Sequence, residues 1–155
     1  MTAIKLGMRV RDAVTGIEGI TDAIAATLHG NRRICICPPM KDDKIVDSVW
    51  VDEVGVEILD PIALTAKAVP LAHVGTDRLG EAVRDRVSGF AGIIVDAVFS
   101  MNGCVQHGVQ GKYDKPGTEP LTCYFDSGRL DKIPEKKSVS VDQTGSGGPR
   151  TRGRP

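Results

Sequence analysis

The sequence predicts an all-β protein made of two copies of one small barrel, and three observations carry that expectation. Residues 5–20 return 73 positions later as residues 78–93 with nine identities: Leu6/Leu79, Gly7/Gly80, Val10/Val83, Arg11/Arg84, Asp12/Asp85, Val14/Val87, Gly16/Gly89, Gly19/Gly92 and Ile20/Ile93. Such a density of matches marks a duplicated module. Register persists at Gly30/Gly103 and Ile36/Val109 and resumes, one residue shifted, at Asp52/Asp126. Within each copy, apolar residues alternate over short runs, and Gly, Asn and Pro separate the runs, as in strands joined by turns.

In the second copy, Val83-Arg-Asp-Arg-Val87 is expected to place Val83, Asp85 and Val87 on one face of a first strand. Gly89 and Gly92 then bend the chain, because glycine reaches positive φ without a Cβ clash. Residues 93–101 form a second strand whose alternating apolar set is Ile93, Val95, Ala97, Phe99 and Met101. Asn102-Gly103 is a hairpin signal of the type I′ kind. Residues 104–110 return as a third strand with Val105, His107 and Val109 on one face. A polar loop at 112–120 precedes a fourth strand at 122–126 and a short fifth element at 129–133.

The first copy is ambiguous when taken alone, since Ile20, Ile24 and Leu28 at spacing four also fit one side of a helix. Alignment with Ile93, Ala97 and Met101 favours a strand. His29-Gly30-Asn31 then supplies the hairpin, 32–37 the third strand, 38–47 the loop and 49–52 the fourth strand. Five short strands per copy, joined by tight turns and one longer loop, describe a small SH3-like β-barrel, which limits exposed edges by curling its sheet.

The expected organisation is therefore a tandem duplication. The first SH3-like barrel spans 1–60, an apolar linker strap 61–77, the second barrel 78–133 and an extended basic tail 134–155. Ile62, Leu64 and their neighbours between Pro61 and Pro70 are apolar where flexible linkers are polar, so the strap is expected to pack along the barrels. The tail is rich in Ser, Gly, Pro and Arg and cannot bury enough surface to fold alone. A module of this size buries only about 60% of its unfolded surface, so the copies are expected to stabilise one another or a partner.

The formal net charge of zero hides a gradient: residues 1–60 carry seven basic and ten acidic groups, and residues 134–155 carry five basic and two acidic. That distribution suits head-to-tail packing between copies better than binding to a polyanion. The chain shows no signal-peptide pattern and no apolar run long enough for a bilayer, so synthesis in a cytoplasm and no membrane partner are expected.

The pattern Leu-Gly-x-x-Val-x-Asp-x-Val-Ser/Thr-Gly-Phe/Ile-x-Gly-Ile, followed by Asn102-Gly-Cys-x-Gln106 and Tyr124-Phe-Asp126, resembles a repeat carried by small proteins of tailed bacteriophages. It resembles more loosely the KOW pattern of ribosomal and transcription-associated SH3-like barrels. The phage-type pattern covers most of 78–133 and part of 5–59; in the first copy Gly30-Asn31 replaces Asn-Gly and Val51 stands for the aromatic. The resemblance implies a barrel-fold phage protein and carries no catalytic residues over. KOW membership would imply contact with RNA or nucleoprotein.

Candidates for chemistry are few. Cys35, Cys37, Cys104 and Cys123 invite a four-thiolate zinc site, but structural zinc pairs usually have C-x2-C spacing and these cysteines fall at non-equivalent positions of the two copies. Free thiols are the favoured reading, with a Cys104–Cys123 disulfide as an alternative. His107 has Val105 and Val109 as face-mates and Ile34 as counterpart, which favours a core histidine over a general base. His29 at a turn tip and His73 in the linker complete no constellation. Asp12 and Asp85 are expected to accept hydrogen bonds from the turns that follow. Structural turn roles are thus assigned to Asp12, Gly16, Gly19, Asp85, Gly89, Gly92, Asn102 and Gly103. Nucleic acid is disfavoured: the pairs Arg9/Arg11, Arg32/Arg33 and Arg84/Arg86 and the tail arginines lack an aromatic platform, because Phe90, Phe99, Tyr124 and Phe125 are assigned to the core.

No enzyme, cofactor or metal is expected. The sequence points to a virion structural protein, a capsid decoration, cementing or adaptor protein made in the host cytoplasm, whose partners are capsid or neck subunits or further copies of itself. Its contacts are placed on the loops 38–47 and 112–120, at Lys41, Asp43, Lys112 and Lys115, and on the tail at Arg150, Arg152 and Arg154. Two rivals remain: a nucleic-acid or nucleoprotein-binding regulator, and a small-molecule-sequestering protein with a pocket at the pseudo-symmetric interface of its barrels.

Overall fold

Val10 and Val83, the central valines of the two matched strands, are fully buried, and each leads into a turn that ends on a glycine at positive φ, Gly16 at 75° and Gly89 at 78°. The computed structural model describes residues 3–62, 64, 76–134 and 136–141. Ten strands follow in chain order: β1 (Arg9–Asp12), β2 (Glu18–Thr27), β3 (Arg32–Cys37), β4 (Val49–Asp52), β5 (Val56–Asp60), β6 (Ala82–Asp85), β7 (Ala91–Ser100), β8 (Val105–Gln110), β9 (Thr122–Asp126) and β10 (Leu130–Lys132). The described residues are all-β apart from three short 3-10 turns. No helix among them is long and apolar enough to cross a membrane.

Each repeat has the same connectivity. β1 pairs with β2 and β5, β2 with β3, and β3 with β4. In the second repeat β6 pairs with β7 and β10, β7 with β8, and β8 with β9. A 3-10 turn precedes the fifth strand in both, at Glu53–Gly55 and Ser127–Arg129. The two expected SH3-like barrels are not delimited by the ladders. All ten strands belong to one antiparallel sheet, and no ladder closes β4 on β5 or β9 on β10.

The fusion runs through β2 and β7. These ten-residue strands each spend one end of a single edge on the first strand of their own repeat and the other end on one another. The shared ladder is Ala23↔Ser100, Ile24↔Phe99, Ala25↔Val98, Ala26↔Ala97 and Thr27↔Asp96. Ala25 and Val98 are equivalent positions of the duplication, so the ladder maps onto itself when the repeats are exchanged. Flanking bonds obey the same exchange: Leu28 N–H donates to Val95 O and Met101 N–H to Asp22 O, both at 2.8 Å. A local two-fold therefore passes between Ala25 and Val98.

Both long strands carry a bulge at the same place, between Thr21 and Ala23 and between Ile94 and Asp96. An extra residue switches the side-chain phase of a strand. Ile94 therefore faces the core in place of the expected Ile93 and Val95, while Ala97 and Phe99 of the expected set are buried and Met101 is only half-buried. In β2 the equivalent residue is Thr21, buried with its hydroxyl donating to Met8 O at 3.2 Å.

The first core contains Ile4, Leu6, Met8, Val10, Ile24, Ile34 and Ile36, and it also takes Phe99 and Val105 from the second repeat. The second consists of Val83, Ile94, Val109 and Leu130, with Leu79, Phe90 and Phe125 packed against it. Phe99, Phe90 and Phe125 are thus core aromatics, whereas Tyr124, expected among them, is 52% exposed. Val87, expected on the core face, is likewise exposed, because β6 ends at Asp85.

Gly19 and Gly92 are not at positive φ. They are required by close approach: a Cβ would collide with the carbonyl oxygen of Cys37 or of Gln110, equivalent residues on the neighbouring strands. At Asn102-Gly103 only Gly103 has positive φ, and Gly103 N–H donates to Ser100 O at 2.9 Å. The hairpin is a three-residue loop with glycine in the left-handed position, not a type I′ turn.

Each repeat continues past its fifth strand. Leu64 N–H donates to Gly7 O at 3.1 Å and Val139 N–H to Gly80 O at 2.8 Å, so residues 136–141 belong to the second unit and not to a free tail. Ile62 and Leu64, expected to be buried in the strap, are exposed. The rest of the strap from 65 to 75, His73 included, lies outside the described residues, as do Arg150, Arg152 and Arg154.

Candidate functional site

The matched turns after β1 and β6 are each held by an aspartate carboxylate and a closing backbone bond. Asp12 Oδ2 accepts Thr15 N–H at 2.9 Å and the Thr15 hydroxyl at 2.6 Å. Asp85 Oδ2 accepts Ser88 N–H at 2.8 Å and the Ser88 hydroxyl. Both turns close with the glycine N–H donating to the aspartate carbonyl, Gly16 to Asp12 and Gly89 to Asp85. These bonds hold the Asp12 carboxyl below the usual carboxylate range, the Thr15 hydroxyl contributing most. For Asp85 the larger cause is Arg129, whose Nε and Nη2 reach Oδ1 and Oδ2 at 2.9 and 2.7 Å. The counterpart of Arg129 is Gly55, where a Cβ would stand 3.4 Å from Asp12 Oδ1. One repeat thus adds a cation to the same turn, and the other leaves that space open. At the tip of each turn stands an exposed valine, Val14 at 87% and Val87 at 77%.

His107 is fully buried in β8, with Nε2 3.0 Å from Ser127 Oγ. Burial pushes its pKa down, and Arg78 adds to the effect. Arg78 donates to the Ser127 carbonyl at 3.1 Å and the Leu130 carbonyl at 3.1 Å and pairs with Glu81 at 3.0 Å. The network ties the 3-10 turn before β10 to the start of the repeat.

Lys41 and Lys44 bridge a two-residue turn in which Asp42 and Asp43 have φ of 51° and 58°. This, rather than Asn102-Gly103, is the turn with two consecutive positive φ values that type I′ requires. Lys41, Asp43, Lys112 and Lys115 are all exposed on the two loops. Five of the six paired arginines that a nucleic-acid surface would use are engaged by carboxylates, Arg9 with Glu18, Arg11 with Glu18 and Glu57, Arg32 with Glu53, Arg33 with Asp52 and Arg86 with Asp131, whereas Arg84 forms no ion pair among the described residues.

All four cysteines are free thiols. The disulfide alternative fails on register: β8 and β9 are antiparallel, Cys123 lies opposite Val109, and Cys104 lies beyond the other end of the ladder. Burial pushes the Cys35 thiol pKa up. Among the described residues no group of three or more His, Cys, Asp or Glu is arranged to hold a metal ion.

The site that sequence reasoning missed in detail lies on the local two-fold. A cleft of about 310 Å³ is lined by Ala25, Arg33 and Trp50 from one repeat and Asp96, Val98, Gln106 and Tyr124 from the other. Three of these pairs are equivalent positions: Ala25/Val98, Arg33/Gln106 and Trp50/Tyr124. Register places Asp52, Arg33, Ala25, Val98, Gln106 and Asp126 in one cross-strand row. Tyr124 leans over Gly108, where a Cβ would be 3.1 Å from its ring, and its hydroxyl donates to Asp96 Oδ2 at 2.7 Å. Burial and that bond push the Tyr124 pKa up to about 12. Asp96 Oδ1 is buried without a hydrogen-bond partner among the described residues. The available signal was the pairing of Trp50 with Tyr124 across the repeats, once the one-residue shift is applied.

No family model matches the chain, and comparison with curated proteins and with solved structures returns no match.

Proposed function

We propose that this chain is a non-enzymatic structural protein of a tailed-bacteriophage particle, a bivalent decoration, cementing or adaptor protein built from two fused SH3-like barrels. Support for the barrel type comes from the strand order shared by both repeats, β5-β1-β2-β3-β4 and β10-β6-β7-β8-β9, with a 3-10 turn before the last strand. The observation that carries the adaptor reading is the pair of rigid turns presenting Val14 and Val87. An exposed apolar residue at one turn tip is ordinary. The same residue at both equivalent tips, each braced by a buried aspartate, is the form of a two-point contact. Preorganised anchors lose little freedom on docking, and linking two of them multiplies a weak contact into a stable one. The loops bearing Lys41, Asp43, Lys112 and Lys115 would border these contacts. The nucleic-acid alternative is weakened by the carboxylate partners of Arg9, Arg11, Arg32, Arg33 and Arg86.

The test is composition of purified particles. The chain is expected in them at a copy number stoichiometric with a capsid or neck subunit. The double variant Val14→Asp/Val87→Asp is expected to keep its Tm and be depleted from particles. Absence of the wild-type chain from purified particles overturns the reading.

A further inference from the structure

We propose that the cleft on the local two-fold is a binding site for a guanidinium group, taken together with its aliphatic stem. The inference is independent of the particle reading and rests on the charge, ring and hydrogen-bond inventory of the cleft.

Its walls are two aromatic side chains at equivalent positions, Trp50 and Tyr124, and its lining includes the small residues Ala25 and Val98 on the central strands. Aromatic faces attract cations, and a flat guanidinium stacks on them better than a compact ammonium does. Four charged groups belong to this surface: Arg33 and Asp96 in the lining, with Asp52 and Asp126 closing the cross-strand row on either side. Arg33 forms a loose ion pair with Asp52, Nε to Oδ1 at 3.8 Å, and donates to the Trp50 carbonyl, Nη2 to O at 3.3 Å. Gln106 donates to Asp126 at 3.3 Å. Among the described residues neither Asp96 nor Asp126 forms an ion pair, although Arg129 acts on Asp126 through space, and the four groups sum to an excess of two negative charges over positive. The same sum disfavours an anion such as a phosphate.

Asp96 supplies the specific acceptor. Its Oδ2 is taken by the Tyr124 hydroxyl, and its buried Oδ1 has no donor among the described residues. A buried carboxylate oxygen left without a donor is costly. A cation in the cleft would pair with the Asp96 carboxylate, and because Oδ1 is closed to solvent, the cation's N–H reaches that oxygen with a charge-assisted bond only as the side chains around it shift. The gap that lets Tyr124 cross to Asp96 exists because residue 108 is glycine, whereas the equivalent position in the first repeat is Cys35 and the equivalent of Asp96 is Ala23. The carboxylate and the strand gap were thus acquired or kept in one half only, which a purely structural interface does not require. A cleft of 310 Å³ accommodates an arginine-sized group.

Such a group is either a free small molecule or an arginine side chain of a partner, and two probes separate these sources: agmatine, and a blocked Gly-Arg-Gly peptide. The chain has a single tryptophan, so emission from Trp50 reports on the cleft directly. Titration of the full chain with each probe is expected to give a saturable change in Trp50 emission, with 1:1 stoichiometry by calorimetry. Tighter binding of agmatine points to a free ligand, and tighter binding of the peptide to a partner's arginine. Asp96→Asn keeps an acceptor for the Tyr124 hydroxyl and removes the charge; it is expected to weaken binding by roughly tenfold or more. Tyr124→Leu, which removes one wall and leaves the carboxylate, is expected to weaken it as well. No saturable signal from either probe up to about 10 mM, a range that covers very weak sites, overturns the proposal. Affinity unchanged in both variants overturns it equally.

Discussion

Arg129 grips the buried Asp85 carboxylate with two bonds, Nε to Oδ1 at 2.9 Å and Nη2 to Oδ2 at 2.7 Å, while Asp12 has no such partner among the described residues at the equivalent turn. Bidentate guanidinium–carboxylate pairs are stronger and more directional than single bonds. Asp85→Ala is therefore expected to lower Tm by about 5 °C or more, and Asp12→Ala by less. The carboxyl of Asp85 is held below its unfolded value, so its contribution is complete above pH about 4 and is lost as pH falls further. In Arg129→Ala, where the carboxyl is held less far below its unfolded value, that acid-dependent loss is expected to be smaller and to be complete at higher pH, as read from thermal melts across an acid series.

His107 gives a dependence at milder pH. Burial lowers its pKa from the ordinary 6.5, so the folded chain binds fewer protons than the unfolded chain just below that value. The histidine's contribution is complete above pH about 6.5 and falls as the solution is acidified through the folded pKa. Urea midpoints of the wild type are expected to drop between about pH 7.5 and 5.5. The drop is expected to be smaller in His107→Gln, which retains a polar group for Ser127 and does not titrate. An equal drop in both proteins would assign the effect elsewhere.

The bulge between Ile94 and Asp96 sets which isoleucine holds the second core. Ile94 is fully buried and packs with Val83, Val109 and Leu130. Ile94→Ala is expected to cost about 2–5 kcal/mol by chemical denaturation. Ile93→Ala, half-buried on the opposite side, is expected to cost under about 1.5 kcal/mol. The reverse order would mean that the strand lacks its bulge.

Tyr124 offers a spectroscopic reading of the cleft. In a Tyr113→Phe background it is the sole tyrosine, and its phenol is expected to ionise at about 12 by ultraviolet absorbance. Burial is the first cause and the Asp96 bond the second. Asp96→Asn is therefore expected to bring the ionisation part of the way down and not to the value of a free phenol.

Much of the fold was legible because duplication supplied a second copy of each signal. Ile20, Ile24 and Leu28 alone fit a helix, and only their alignment with Ile93, Ala97 and Met101 identified β2. The fourth strands were also legible, since 49–52 and 122–126 match β4 and β9. The phase of β2 and β7 was not, because a bulge adds a residue without any distinctive side chain: Asp22 and Val95 share nothing in the sequence. The Asp42-Asp43 turn was missed for a similar reason, as neither is the glycine that usually marks positive φ. The ladder between Ala25 and Val98 was beyond reach, because β2 is long enough to serve two neighbours on one edge and no residue states which half serves which. The cleft followed the ladder into obscurity, and Tyr124 was placed in the core that Phe125 fills.

The β2–β7 ladder has a historical consequence. Two unlinked copies of one repeat meeting through this self-complementary pairing would be a homodimer, in which each substitution is made twice and the groove on the axis stays symmetric. Joining the copies in one chain ends that constraint. Ala23 and Asp96, Cys35 and Gly108, and Trp50 and Tyr124 have since taken different identities at matched positions. A guest lying across the axis then meets two unlike ends, and where a homodimer would hold it in two equal orientations, this chain distinguishes one from the other.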